Sequence, residues 1–170
     1  MLFRSDWYSQ SAMTNISAGD NVTLQAPLGV IPVFVRGGSV LPMQEPGLTT
    51  FACRQNPWGL LVALDGSGAA NGTLYVDDGE SVMPNATLNV VFTAMNGSLS
   101  SSSTGSYSAS QPLANVTVLG VASEPMNVTL NDQSVSNFTY NSTSMALFVT
   151  DLANSTDQGA WAQNWTMTWS

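Results

Sequence analysis

Short apolar runs, each bounded by Gly, Pro, Asn or Ser, recur along the chain, and helical periodicity is nearly absent. In the second half the runs alternate. Leu88, Val90 and Phe92 share one face, as do Val116 and Val118, Val128 and Leu130, Phe138 and Tyr140, and Leu147 and Val149. Near the end, Trp165, Met167 and Trp169 alternate with Thr166, Thr168 and Ser170. A period of two predicts strands with one face on a core and the other in water. Each large side chain buried on such a face contributes roughly 1.5–3 kcal/mol.

The first half reads differently. Asn21–Ala26 alternates, whereas Val30–Arg36 (VIPVFVR) is apolar on both faces and predicts a buried strand, with Pro32 placing its entry at an edge or bulge. Ser39–Leu41 resumes after the Gly37-Gly38 break, Gly59–Leu64 is a second continuous apolar run, and Gly72–Val76 alternates weakly. Many short strands between turn signals predict an all-β chain of antiparallel β-sandwich type. The change of strand character near Val76–Met83 divides it into two small domains, residues 1–80 and 81–170. The Ser-rich stretch Ser98–Ser110 reads as an O-glycosylated linker or as a polar hairpin at an exposed edge; Leu99 and Tyr107 favour the hairpin.

Composition narrows the chemistry. The 170 residues hold 3 Lys+Arg against 11 Asp+Glu, a net charge of −8, with no His. The cations are Arg4, Arg36 and Arg54. A chain this acidic lacks the basic footprint that nucleic acid or an anionic membrane requires. Without His it lacks the commonest general base and metal ligand, and a nucleophilic Cys53, the single cysteine, would have no His to activate it. An internal disulfide framework is excluded. The expectation is no cofactor, no metal and no catalytic residue.

Asn residues followed two positions later by Ser or Thr are far in excess. Asn15, Asn21, Asn71, Asn85, Asn96, Asn115, Asn127, Asn137, Asn141, Asn154 and Asn164 qualify, 11 of 14 Asn in the chain. About three would arise by chance at this Ser and Thr content, so the excess predicts a secreted chain with surface glycans. Met1–Asn15 carries no basic-then-apolar leader. The expectation is therefore that the chain is the C-terminal part of a longer secreted protein.

Three groups of residues are candidates for chemistry. Asp77-Asp78-Gly79-Glu80 is the densest set of carboxylates. Adjacent carboxylates on a strand end point apart, whereas a glycosidase needs two facing each other about 5–10 Å apart, so a turn is the better reading. Arg36, beside an apolar strand, is expected to be held by a carboxylate or by backbone carbonyls, because an unpaired buried charge is costly. Trp161, Trp165 and Trp169 share one strand parity, and either stack on sugar rings or fill a core face; the interleaved Met167 favours the core.

The run Ile31-Pro32-Val33-Phe34-Val35-Arg36-Gly37-Gly38-Ser39-Val40-Leu41-Pro42 resembles the segment that follows the catalytic barrel in glycoside hydrolase family 31, the α-glucosidase family. Gly19-Asp20 with Leu24–Leu28 is similar to the strand and turn before it, and so are Arg54-Gln55-Asn56-Pro57, Leu60–Asp65 and Gly72–Ser81 to the segments after it. Val116–Gly120, Glu124–Val128 and Trp165–Trp169 resemble the distal domain. The resemblance implies a proximal and a distal C-terminal β-sandwich flanking a (β/α)₈ barrel, which holds an Asp nucleophile and an Asp acid/base and works with retention. Nothing in this sequence matches either barrel motif. The resemblance thus implies a non-catalytic supporting region whose partner is the barrel. The alternative is a module that binds starch or malto-oligosaccharide through Trp or Tyr faces.

Overall fold

The computed structural model describes residues 6–9, 15–17, 19, 21–24, 26–156 and 158–170. Its strands are β1 (Trp7–Ser9), β2 (Asn15–Ile16), β3 (Phe34–Arg36), β4 (Ser39–Gln44), β5 (Trp58–Ala63), β6 (Ala70–Val76) and β7 (Leu88–Met95). They continue with β8 (Ser98–Gly105), β9 (Leu113–Leu119), β10 (Val128–Leu130), β11 (Gln133–Ser134), β12 (Phe138–Asn141), β13 (Ala146–Val149) and β14 (Trp165–Trp169). One short helix, α1 (Thr50–Arg54), and a 3₁₀ turn at Leu152–Thr156 are the helical elements among the described residues. None is long and apolar enough to cross a membrane.

The all-β class holds. Eleven strands form one curled sheet in the order β11-β10-β14-β8-β7-β6-β4-β5-β9-β13-β12, and β2-β1-β3 form a small second sheet. Most pairs are antiparallel as expected; β4–β6 and β5–β9 are parallel. Strands β6 and β7, on either side of residue 80, pair from Ala70↔Ala94 to Val76↔Leu88. The main core draws on both halves, from Val40 and Leu60 to Met167 and Trp169.

The alternating faces are buried as their period requires. Leu88, Val90 and Phe92 point inward, as do Val116, Val118, Val128, Leu130, Leu147, Val149, Trp165, Met167 and Trp169. Phe138 and Tyr140 are half-buried against the same core. Ser98–Ser110 holds a hairpin strand and not a linker, but not at an edge: β8 pairs with β7 on one side and β14 on the other, and Leu99 is fully enclosed.

The run Gly59–Leu64 is apolar throughout because both its faces are covered. Leu60 and Val62 enter the main core, while Leu61 and Ala63 meet a second cluster with Tyr8, Val35, Leu119 and Ala146. The small sheet supplies Tyr8 and Val35 to that cluster. The Tyr8 hydroxyl donates to the Leu64 carbonyl at 2.7 Å. Gly120 (φ +88°) passes so close that a Cβ there would meet this hydroxyl.

Two expectations for the first half fail. Val30–Arg36 is not a buried strand: only Phe34–Arg36 pair, with β1, and only Val35 is buried, whereas Ile31 is 85% exposed and Val30 and Val33 are also exposed. No element among the described residues covers this apolar segment. Asn21–Ala26 forms no extended strand in its described part; Asn21 makes one isolated bridge.

Candidate functional site

The sequence candidates separate in space. Asp77–Glu80 is a turn. The Asp77 carboxylate accepts from the Gly79 N–H at 2.8 Å, and the Asp78 carboxylate accepts from the Glu80 and Ser81 N–H groups at 3.1 and 2.9 Å. The Ser81 hydroxyl donates to Asp78 at 2.6 Å. These donors, the Ser81 hydroxyl foremost, hold the Asp78 carboxyl down at about 2. A carboxylate so fully ionised accepts hydrogen bonds and does not deliver protons.

Arg36 corrects its expectation. It is exposed, and among the described residues no carboxylate or carbonyl is bonded to its guanidinium. The strand it ends is an edge, so the side chain reaches water and needs no partner. The held cation is Arg54, at the end of α1. Its guanidinium donates to the Asp77 carbonyl and lies 3.9 Å from the Asp77 carboxylate. Gly79 (φ +73°) leaves room for it; a Cβ there would strike the guanidinium.

The three tryptophans are core. Trp161 is 1% exposed, and Trp165 and Trp169 are buried. Trp161 and Trp165 stack with centroids 6.2 Å apart, and Trp161 meets Phe92 and Trp58 edge-on at 5.2 and 5.8 Å. The Trp165 indole donates to the Ala160 carbonyl at 2.9 Å. No aromatic face of this set is offered to a sugar, so the platform reading is withdrawn for these residues.

A different aromatic group surrounds a cavity of about 150 Å³, bounded by Gln44, Arg54, Gln55, Trp58, Tyr75, Val76, Tyr107, Ala109 and Gln111. It lies where β4 and β6 end and β5 begins, beside the loop from β8 to β9. Gln44, one of the lining residues, donates to the Asn56 and Arg54 carbonyls at 2.8 and 3.4 Å. No pair of carboxylates lines this cavity or the others described; Glu45 alone lines the hollow beside Met43 and Asn115. Among the described residues no three His, Cys, Asp or Glu side chains cluster to hold a metal. Cys53 is a free thiol, donating to the Glu45 carbonyl at 3.3 Å.

The ten sequon asparagines whose side chains are described, Asn21, Asn71, Asn85, Asn96, Asn115, Asn127, Asn137, Asn141, Asn154 and Asn164, are all exposed. The side chain of Asn15 lies outside the described residues. A second surface feature is apolar. The small sheet covers β5 at Leu61, yet the adjacent positions on β4, Leu41 and Met43, are exposed on the same face. Helix α1 buries none of its residues and presents Phe51 at 69% exposure.

No family model matches the chain. Individual relatives do. The chain is 58% identical over 166 residues to an α-glucosidase of Aspergillus niger, which covers 96% of this chain and 17% of that protein. It is 39% identical over 165 residues to a family 31 glucosidase of Schizosaccharomyces pombe, covering 97% of this chain and 16% of that one. The chain thus spans about a sixth of the length of the curated relatives it matches. Among solved structures, a glucosidase II α subunit superposes with a TM-score of 0.73 at 19% identity, over 99% of this chain and 21% of that one. A Flavobacterium johnsoniae family 31 dextranase superposes with 0.70 at 18% identity, over 99% and 23%; at these identities the likeness is one of fold. Matched along nearly all of its length to one part of far longer enzymes, the chain belongs to glycoside hydrolase family 31, in keeping with the C-terminal β-sandwich region of that family.

Proposed function

We propose that this chain is the C-terminal, non-catalytic part of a secreted α-glucosidase-like hydrolase, and that it packs on and supports a catalytic (β/α)₈ barrel. The observation that carries the reading is the match itself: 58% identity over 96% of this chain accounts for 17% of an α-glucosidase. The uncovered apolar side chains support it. Ile31, Leu41, Met43 and Phe51 lie on or beside the small sheet, β4 and α1, and each would contribute roughly 1.5–3 kcal/mol if fully buried against a partner. The parent reaction would be retaining hydrolysis of α-glucosidic bonds, run by carboxylates of the barrel. Residues 1–80 would form the proximal portion and 81–170 the distal portion of the support.

Secretion and glycosylation belong to the same proposal, supported by the exposure of every described sequon Asn. The test is to produce the remainder of the enzyme with and without this chain. The remainder alone should be insoluble or lose most of its α-glucosidase activity, and supplying the chain should restore it. Ile31→Glu and Phe51→Glu should weaken that rescue while leaving the chain folded. Turnover of maltose or an aryl α-glucoside by the chain alone would overturn the reading, as would full activity of the remainder without it.

A further inference from the structure

We propose that the cavity between Trp58, Tyr75 and Tyr107 is a sugar-binding subsite that takes one neutral pyranose unit of an oligosaccharide. Its volume of about 150 Å³ is the size that accepts a single six-membered ring. Its walls are of two kinds. Trp58 and Tyr107 are half-buried and Tyr75 is exposed, so three aromatic side chains border the opening. Gln55 and Gln111 line it too, and no side-chain hydrogen bond of either occurs among the described residues. Amides of this kind both donate and accept, which suits a ligand whose every edge is a hydroxyl.

The charge at the cavity selects against ions. Arg54 is its one charged lining residue, and its guanidinium is already engaged by the carbonyl and carboxylate of Asp77. Desolvation, with the charges of Asp77 and Asp78 beside it, raises the Tyr75 phenol above its ordinary value, so it stays a neutral hydroxyl. Arg54 and Asp77 therefore form a neutralised rim beside the Gly79 turn. A neutral polyol gains hydrogen bonds at this rim without having to break an ion pair. An anion would have to displace Asp77 from Arg54, and a cation would meet Arg54. Apolar side chains in a concave pocket with a few fixed polar groups are the usual make-up of a small-ligand site. One wall group, the Trp58 indole N–H, is buried without an acceptor among the described residues, a donor left unused by the fold.

The choice of an α-linked glucan as the sugar rests on the function proposed above; the pocket itself stands on its own geometry. Hydroxyl-radical footprinting of the full-length enzyme that carries this chain tests both separately. Rising maltotriose should lower the oxidation of Tyr75 and Tyr107 in a saturable way and leave Met95 and Met126, which are exposed elsewhere, unchanged. Tyr75→Ala, at an exposed position on β6, should raise the concentration that protects Tyr107 by about tenfold. The same result with Gln111→Ala would assign the amide. If Tyr75 and Tyr107 are shielded before any sugar is added, the rest of the enzyme fills the pocket and the proposal is overturned. If they are open and maltotriose leaves them unchanged, it is overturned equally. Protection of Ile31 and Phe51 in the same sugar-free sample reads the docking of the chain on its barrel, so the two ideas fail independently.

Discussion

Replacing Trp161 probes the packing on which the chain's stability turns. Trp161 is 1% exposed and stands at the centre of an aromatic group with Phe92, Trp58 and Trp165, all within 6.2 Å between centroids. Truncating a buried Trp to Ala costs about 3–5 kcal/mol, to which each edge-on or stacked ring pair adds a share of about 0.5–1.5 kcal/mol. Against that stands an unusual debit. The Trp161 indole N–H is buried and has no acceptor among the described residues, and an unmet donor of this kind costs about 1–3 kcal/mol. Trp161→Phe deletes that donor while keeping a ring against Phe92 and Trp165. The smaller ring leaves a void, so the two effects oppose each other. Trp161→Phe should therefore lose less than about 1.5 kcal/mol where Trp161→Ala loses about 4 kcal/mol. For a domain of typical stability, about 5–15 kcal/mol, the Ala variant would be marginal and the Phe variant robust. Urea denaturation followed by circular dichroism measures both, with the slope checked for constancy. If Phe costs as much as Ala, the N–H is satisfied or volume alone governs the site, and the reasoning about the orphan donor is wrong.

Four further outcomes follow from the geometry. Burial, reinforced by the charges of Asp6 and Asp65, pushes the Tyr8 phenol up to about 12; a value raised above the unfolded one stabilises the fold below pH 10 and is lost as pH climbs towards 12, so alkaline unfolding should set in there and be blunted in Tyr8→Phe, itself less stable by about 1 kcal/mol at neutral pH. Asp78, held at about 2, should titrate near that pH by carboxyl NMR, its stabilising effect present above the unfolded value of 3.8 and lost as pH falls through 2, and Ser81→Ala should move the midpoint upward. Calorimetry decides whether residues 1–80 and 81–170 melt separately: the sheet shared across β6 and β7 leads us to expect one transition, and two resolved transitions would speak for independent units. Gly120→Ala should destabilise by about 2 kcal/mol or more, since a positive φ and the Tyr8 hydroxyl both oppose a side chain there; a silent Gly120→Ala would mean that the Tyr8 contact is loose.

Much of the fold was legible because alternation states directly which side chains face inward, as Leu88, Val90 and Phe92 on β7 show. Continuous apolar runs were ambiguous. Gly59–Leu64 and Val30–Arg36 look alike in sequence, yet the first is covered on both faces by this chain and the second is left open. The difference lies in what covers them, which local pattern does not encode. Helix α1 escaped the pattern because it buries nothing; its one signal is the Thr49 hydroxyl accepting from the Ala52 N–H at 3.1 Å, an N-cap that the Thr49–Ala52 spacing could have suggested. The cavity escaped. Trp58, Tyr75 and Tyr107 are far apart in sequence and meet only because strand ends converge, whereas the evenly spaced Trp161, Trp165 and Trp169 are core, as the interleaved Met167 indicated.

The order of the large sheet carries a last consequence. Its two outermost strands are β11, two residues long, and β12, four residues long. Little unpaired backbone is thereby offered to a second chain seeking to extend the ladder, even though the sheet has two open ends among the described residues. Self-association through strand addition is discouraged at both rims, and any stickiness of the isolated polypeptide should arise from its bare side chains around Ile31 and Phe51.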